Sequence, residues 1–295
     1  MNITILANVR KPLFWKHFPQ LMMWLREKGV NIRLSRQIAE EANFPLTDVE
    51  VVDEENLPPD CEMIVAFGGD GTILRTVQLV GEKQIPILGV NVGGLGFLTE
   101  IPLERFETIF GEILEGKYFI EDRVMLEAYI EGERRPIRAL NEIVIDKASS
   151  PRVIQITVYV DHKYLNNYIA DGLLISTPTG STGYSLSIGG PIVVPSNRVL
   201  IINPISPHSL TNRPVIVPDT VQIETTIFSE YPEIMIAGDG RDVRYCRNRT
   251  RMTVTQCPYV ARLVKHRDSD FFALLRNKLH WGEDFRNKDR WSYHS

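Results

Sequence analysis

The chain has 295 residues, enough for about two domains at ~150 residues each. Hydrophobic residues make up 43% and charged residues 24%, while 33 Lys and Arg against 37 Asp and Glu leave a formal charge of −4. This composition excludes a mainly disordered chain and argues against a dedicated nucleic-acid binder, whose domain is usually basic.

Asn2–Ala7 is a short apolar run that reads as a strand. Pro12 then suits the first turn of a helix in which Phe14, Phe18, Leu21, Met22 and Leu25 recur at helical spacing. Pro19 sits inside that pattern and is a candidate kink. Gly29 reads as the helix stop and Val30–Leu34 as a second strand. Met63–Phe67 is a buried strand, followed by a glycine turn and a helix marked by Ile73, Leu74, Val77 and Val80 that ends near Gly81. Ile85–Val90 is another strand, and Phe106, Ile109, Phe110, Ile113 and Leu114 line a helix that stops at Gly116. Strands alternating with amphipathic helices predict βαβ units and a parallel sheet.

After about residue 122 the pattern changes. Met125–Ile130, Glu142–Ile145, Val153–Val160, Tyr164–Ile169, Leu173–Ser176, Val199–Ile202, Val215–Val217, Val221–Phe228, Ile234–Ala237 and Thr250–Thr255 read as strands. Helical periodicity is nearly absent there, so this half reads as a β-rich second domain. Asp270–His280 is a last amphipathic helix, of the kind that packs back on an earlier domain. The expected division is 1–122, completed by a helix over 270–283, and 123–269. The polar tail Trp281–Ser295 reads as loosely ordered.

No apolar run approaches the ~20 residues of a membrane-spanning helix, and Met1–Lys11 lacks the pattern of a signal peptide. Cys61, Cys246 and Cys257 are few, odd in number and without C-x-x-C spacing. A disulfide framework and a zinc site are therefore not expected, and a reducing cytoplasm fits.

Three segments carry chemistry. Gly68-Gly69-Asp70-Gly71-Thr72 follows an apolar strand and opens a helix. Glycines there let the backbone approach a ligand, and the helix start offers free N–H groups to an anion. A lone Gly-Asp-Gly is more often a tight turn with a local Asp cap. Asp70 among phosphate donors is equally placed to accept a proton from an attacking hydroxyl. Gly69 and Gly71 begin a dinucleotide fingerprint that fails at Leu74. Gly111–Lys117 begins a P-loop that fails at Tyr118, and it lies along a helix. Asn91–Phe97, with Gly93, Gly94 and Gly96, follows a predicted parallel strand, where ligands bind in open α/β sheets. Asp171–Ser185 leads from a strand into a run of Ser, Thr and Gly, whose hydroxyls and bare amides suit ribose and phosphate oxygens. The bland reading of that run is a polar loop. Asn141-Glu142 adds an amide and a carboxylate ahead of Ile143–Ile145.

Together, Gly68–Thr72 (GGDGT), Gly89–Phe97 (GVNVGGLGF), Asn141-Glu142, Asp171–Ser187 (DGLLISTPTGSTGYSLS) and Pro207–Pro214 (PHSLTNRP) resemble the NAD kinase family, in order and spacing, across nearly the whole chain. GGDGT alone is shared with lipid kinases and 6-phosphofructokinases; the long STPTGST segment after an NE pair selects NAD kinases. The resemblance implies an N-terminal α/β domain, a C-terminal β-sandwich-like domain and a last helix that returns to the first. It implies transfer of the γ-phosphoryl of ATP, with Mg²⁺ or another divalent metal bound mainly through the ATP phosphates, to the adenosine 2′-hydroxyl of NAD. Asp70 matches the catalytic base, with Gly69, Gly71 and Thr72 beside it. Asn141 and Glu142 match residues that hold ribose and adenosine groups, and Asp171 a substrate contact. Thr179 and Thr182, Gly183, Tyr184, Ser185, Leu186 and Ser187 match the stretch that wraps the dinucleotide. Phe97 matches a pocket aromatic and Asp239 a late acidic contact. A homo-oligomer, dimer or tetramer, is also implied, with no nucleic-acid or membrane partner.

The chain departs from the family at Ala170, where Gly is usual, and at Gly183, where Ala is usual. Ile169 stands where many relatives carry a basic residue, which makes Arg152 a candidate substitute for a phosphate contact. Arg75, one turn into the GGDGT helix, is another candidate, against the plainer reading of a solvated charge. Arg241, Arg244, Arg247, Arg249 and Arg251 form a basic run whose last three share one face if they lie on one strand. They read mainly as a solvated or interface face. The competing functions are another GGDGT-type kinase, acting on a lipid or sugar phosphate, and a non-catalytic dinucleotide sensor.

Overall fold

The computed structural model describes residues 1–43, 46 and 49–281. They form two compact units: the described residues of Met1–Leu79 with Ile85–Glu121 and Leu263–Trp281, and Val80–Gln84 with Asp122–Arg262.

Unit 1 opens with β1 (Asn2–Ala7), α1 (Pro12–Glu27), β2 (Asn31–Ser35), α2 (Arg36–Glu41) and β3 (Glu50–Val52). It continues with β4 (Met63–Gly68), α3 (Asp70–Val80), β5 (Ile87–Asn91), β6 (Ile101–Pro102), α4 (Phe106–Leu114) and β7 (Tyr118–Arg123). Pro12 occupies the first turn of α1, where its missing N–H costs nothing, and α1 runs on through Pro19 to Glu27. Gly111 falls within α4, so the partial P-loop pattern lies on a helix.

Unit 2 follows with β8 (Leu126–Ile130), β9 (Ile137–Ala139), β10 (Glu142–Asp146), β11 (Ile154–Val160), β12 (Lys163–Ala170) and β13 (Gly172–Ser176). After the short α5 (Tyr184–Ser187) come β14 (Val199–Ile205), β15 (Val215–Pro218), β16 (Ile223–Phe228), β17 (Glu233–Gly238), β18 (Asp242–Arg247) and β19 (Arg251–Gln256). The chain returns to unit 1 by β20 (Ala261–His266) and α6 (Phe271–Leu279). The Asp270 carboxylate caps α6 by accepting the Phe272 N–H at 2.8 Å.

The unit 1 sheet has the order β3-β2-β1-β4-β5-β20-β7, with β6 beside β5. The β1–β2, β1–β4, β2–β3 and β4–β5 pairs are parallel. Every residue of β4 and β5 is buried, as expected for central strands covered on both faces. The core joins Phe14, Phe18 and Leu25 of α1 to Phe67 of β4 and Phe106 and Phe110 of α4.

Unit 2 is two antiparallel six-stranded sheets, β15-β14-β13-β10-β17-β18 and β12-β11-β16-β19-β8-β9. Ile154, Ile156 and Val158 on β11 and Ile223 and Ile227 on β16 alternate inward at period 2, meeting Ile143, Ile145, Leu173 and Ile175 from the other sheet. The fold class read from the sequence is the one found.

Several local expectations shift. The second strand begins at Asn31 and the fifth at Ile87, each slightly later than the apolar runs suggest. The basic run does not share a strand. Arg247 ends β18, Arg249 sits in the turn with φ 65°, and Arg251 opens β19. The turn breaks the alternation on which a common face depends. Of the tail Trp281–Ser295, residues 282–295 lie outside the described residues.

Candidate functional site

In unit 1 the site is built at the carboxyl ends of β4 and β5. β4 runs straight into Gly69 and then α3, whose first residue is Asp70. Asp70 is not a cap for its own helix. Its carboxylate reaches the loop after β5 and accepts the backbone N–H of Phe97 at 2.8 Å, of Leu98 at 2.9 Å and of Thr99 at 3.2 Å. The Thr99 hydroxyl donates a fourth bond at 3.3 Å. These donors fix both oxygens in position. The loop is fixed in turn: Asn91 Nδ2 donates to Gly94 O at 2.7 Å and to Thr99 Oγ1 at 2.9 Å. Val92 N–H donates to Gly68 O at 2.9 Å, which ties the β5 loop to the glycine turn. Lys278 of α6 donates to Leu95 O and stands 5.8 Å from the centre of the Phe97 ring.

Glycine is required at position 96 by close approach, since a Cβ there would lie 2.0 Å from Asp70 Oδ1 and 2.5 Å from Thr99 Oγ1. Thr72 faces inward over Gly68, and its carbonyl accepts the Thr76 hydroxyl at 2.9 Å. Arg75 turns away to Gln37, at 2.9 Å, and to Glu54.

In unit 2 the site is built around the start of β10. Asp239, just past β17 and with φ 49°, accepts the N–H of Leu140 at 2.8 Å, Asn141 at 2.8 Å and Glu142 at 3.2 Å. Residues distant in sequence thus orient Asn141-Glu142. The carbonyls of the same segment hold the Ser/Thr run. Thr177 N–H donates to Asn141 O at 2.9 Å, and Thr177 Oγ1 donates to Leu140 O at 2.6 Å. Gly180 packs so closely that a Cβ would lie 2.3 Å from Asn141 O. Ser181, fully buried, donates to Pro178 O at 2.6 Å and accepts Val193 N–H at 3.0 Å. Thr182 Oγ1 donates to Thr179 O at 3.3 Å, and Arg123 Nη1 donates to Thr179 Oγ1 at 3.2 Å. Hydroxyl-rich composition here is an ordered, self-bonded turn.

Three buried side-chain atoms of this cluster have no hydrogen-bond partner: Asn141 Oδ1, Glu142 Oε2 and Ser185 Oγ. Buried polar atoms without partners are rare and mark groups that await one. The point a Cβ on Gly183 would occupy lies 3.4 Å from Asn141 Nδ2 and 3.5 Å from Glu142 Oε2, so the turn passes close over that pair. Burial, with a smaller contribution from Asp239, pushes the Glu142 carboxyl up to about 8. Burial also raises Asp239, against the pull of its three N–H donors. The Tyr184 phenol, 40% exposed, is raised by burial and then by the carboxylates of Asp146, Asp171 and Glu142. Asp171 is paired with Lys147 at 2.6 Å, and Arg152 with Glu230. Leu186 and Ser187 complete α5.

The sequence singled out Asp70, Phe97, Asn141, Glu142, Asp171, Asp239 and the Thr179–Ser187 run. It did not single out Thr99, Arg123, Lys147 or Lys278, which hold those residues. Gly96 was the one visible signal of the Asp70 contact. Among the described residues no three His, Cys, Asp or Glu side chains are grouped to hold a metal ion.

Residues 3–118 match the ATP-NAD kinase N-terminal domain, and residues 140–266 match the ATP-NAD kinase C-terminal domain. The chain is 38% identical to NAD kinase of Geotalea daltonii over 96% of its own length and 99% of that protein's. It is 38% identical to NAD kinase of Moorella thermoacetica, over 95% and 90%. Among solved structures it is similar to yeast NADH kinase complexed with NADH, with TM-score 0.86 and 26% identity over 97% of this chain and 89% of that one. It is also similar to an NAD kinase from Archaeoglobus fulgidus in complex with ATP, with TM-score 0.75 and 25% identity over 95% and 99%.

Proposed function

The chain belongs to the ATP-NAD kinase family, and on that premise we propose that it moves the γ-phosphoryl group of ATP to the adenosine 2′-hydroxyl of NAD, with Asp70 as the base. In that step the 2′-oxygen bonds to the γ-phosphorus, the bond to the β,γ-bridging oxygen breaks, and the hydroxyl proton passes to Asp70. The products are NADP and ADP.

The observation that carries this reading is the hold on Asp70 by Phe97, Leu98 and Thr99. Phosphoryl transfer depends on positioning and charge neutralisation more than on covalent help, and a carboxylate fixed at both oxygens meets the first need. Gly69 leaves room beside it. Asn141, Glu142 and Ser185 offer unpartnered atoms to ribose and adenosine groups. Asp239 acts by orienting the first two, and Thr179–Ser187 supplies hydroxyls and amides along the dinucleotide. A divalent metal bound through the ATP phosphates would arrive with the donor and would neutralise part of their charge. Arg75 and Arg152 are each engaged by a glutamate, so a phosphate role for either requires that pair to open.

The same reading includes a homo-oligomer and a cytoplasmic setting. The latter is supported by Cys61, Cys246 and Cys257, which are all free thiols. No helix among the described residues is long and apolar enough to cross a membrane.

The test is a coupled assay with ATP, Mg²⁺ and NAD, reading NADP with an NADP-specific dehydrogenase, beside sphingosine, diacylglycerol and fructose 6-phosphate as acceptors. Asp70→Asn should lower kcat by about 10²–10⁴ while NAD still binds. Phosphate appearing on a lipid or sugar instead would overturn the reading. Equal turnover in the variant would remove Asp70 as the base.

A further inference from the structure

The NAD kinase reading leaves open which cation receives the donor's phosphates, and unit 1 points to one. In the order β3-β2-β1-β4-β5 the chain leaves β1 toward β2 on one side and meets β4 on the other. Loops that follow such neighbouring strands part to opposite faces and leave a crevice at the carboxyl ends, where ligands of open α/β sheets bind. At those ends here stand Asn8–Lys11 after β1, Gly69 and Asp70 after β4, and the loop after β5. Asn8 N–H donates to Phe67 O at 2.8 Å, which joins the β1 and β4 loops. The Asn8 carbonyl and side chain accept the N–H of Lys11 at 3.0 Å and of Arg10 at 3.2 Å, so this turn is ordered.

Lys11 Nζ lies 3.6 Å from the point a Cβ on Gly93 would occupy, over the loop that holds Asp70. Added Cβ atoms on Gly69 and Gly94 would meet nothing within 4 Å, so there is open space beside each. Arg10 and Lys11 are both exposed, and among the described residues neither has an ion-pair partner. Three other cations of this unit are engaged elsewhere: Arg75 with Glu54, Lys265 with Glu100, and Lys278 with Leu95 O. A polyphosphate brings several negative charges toward Asp70 on a chain of net charge −4, so local cations must offset the repulsion.

We propose that Lys11, assisted by Arg10, binds the terminal phosphates of the phosphoryl donor in this crevice. The proposal rests on the kinase reading for the donor's identity. Lys11 exchanges no proton and forms no bond; it supplies a point charge that attracts and steadies the phosphates beside the reacting group.

The test compares wild type, Lys11→Met, Lys11→Arg and, as a control on the exposed face of α1, Lys16→Met. Inorganic tripolyphosphate binding to the full chain is measured by calorimetry, and KM and kcat are measured for ATP and NAD. Lys11→Met should weaken tripolyphosphate by about ten- to hundredfold, as expected for loss of a charge-assisted bond. The same factor should appear in kcat/KM for ATP, with KM for NAD little changed. Lys11→Arg should keep most of both, and Lys16→Met should match wild type. Tripolyphosphate bound equally well by Lys11→Met and wild type would overturn the proposal, whatever the kinetics. Wild type that makes no NADP would instead overturn the kinase reading, and tripolyphosphate binding would still decide the role of Lys11.

Discussion

The Cβ that Gly96 lacks would stand 2.0 Å from Asp70 Oδ1. The carboxylate occupies the volume a side chain would take, and this is how it reaches the N–H groups of Phe97, Leu98 and Thr99. Gly96→Ala should therefore push Asp70 off those donors. A displacement of about 1 Å at a reacting group costs on the order of a hundredfold in rate. Steady-state assays should show kcat down by about that factor, with the far-UV circular dichroism of the wild type retained. Full activity in this variant would mean that Asp70 works from some other position.

Lys278 is the outer support of the same loop. Its ammonium bonds Leu95 O and faces the Phe97 ring, so α6 contributes to alignment two residues away from the groups that bind Asp70. The side chain is exposed, and an exposed cation–ring contact is worth about 0.5–1 kcal/mol. Lys278→Met should lower kcat by about two- to fivefold, and Lys278→Arg should restore it. In an Asp70→Asn background the Lys278→Met change should have no further effect, because it acts through Asp70. Additive losses in that double variant would assign Lys278 a separate role.

Local patterns made the fold class legible. Period-3.6 apolar spacing marked α1 and α4, and apolar runs marked strands such as β11 and β16. Elements too short to show a period did not declare themselves: α2, β3 and β9 are six, three and three residues long. β18 was hidden by its arginines and by Tyr245, 66% exposed, since as the last strand of its sheet it needs few apolar positions. At the site, glycine clusters and Asn141-Glu142 were visible because close approach restricts the residue type. The bonds from Phe97–Thr99 to Asp70 were not, because backbone N–H groups carry no sequence signature. Arg75 and Arg152 drew notice as charges, but pairing with Glu54 and Glu230 depends on contacts across 21 and 78 residues.

Glu142 gives a pH prediction. Its carboxyl, 8% exposed, rises from 4.5 to about 8 in the folded protein, chiefly through burial. The folded chain thus holds a proton that the unfolded chain releases near 4.5. Below that pH the group costs nothing. Between about 4.5 and 8 its contribution turns steadily unfavourable, with a slope up to ~1.4 kcal/mol per pH unit, and above 8 the penalty is complete. Glu142→Gln removes the titration. Urea unfolding from pH 5 to 8.5 should show the variant gaining on wild type as pH rises and exceeding it at the alkaline end. A constant difference across that range would show that Glu142 titrates normally.

Asp239 tests how the Asn141-Glu142 pair is held. One carboxylate satisfies three backbone N–H groups, of Leu140, Asn141 and Glu142, at a point only 8% exposed. Removing it leaves donors that water reaches poorly, at about 1–3 kcal/mol each. Asp239→Ala should then lose about 3 kcal/mol or more in urea unfolding, part of it from placing a Cβ-bearing residue without a local acceptor at φ 49°. Asp239→Asn keeps one acceptor oxygen and tolerates that backbone, so its loss should be nearer 1 kcal/mol. Both variants should bind NAD more weakly than wild type in calorimetry, the Ala variant more so, because Asn141 Oδ1 and Glu142 Oε2 are offered to ligand only while their backbone is held. Wild-type stability in Asp239→Ala would mean that the three N–H groups find other partners. Wild-type NAD affinity in a destabilised Asp239→Ala would detach the pair's orientation from binding.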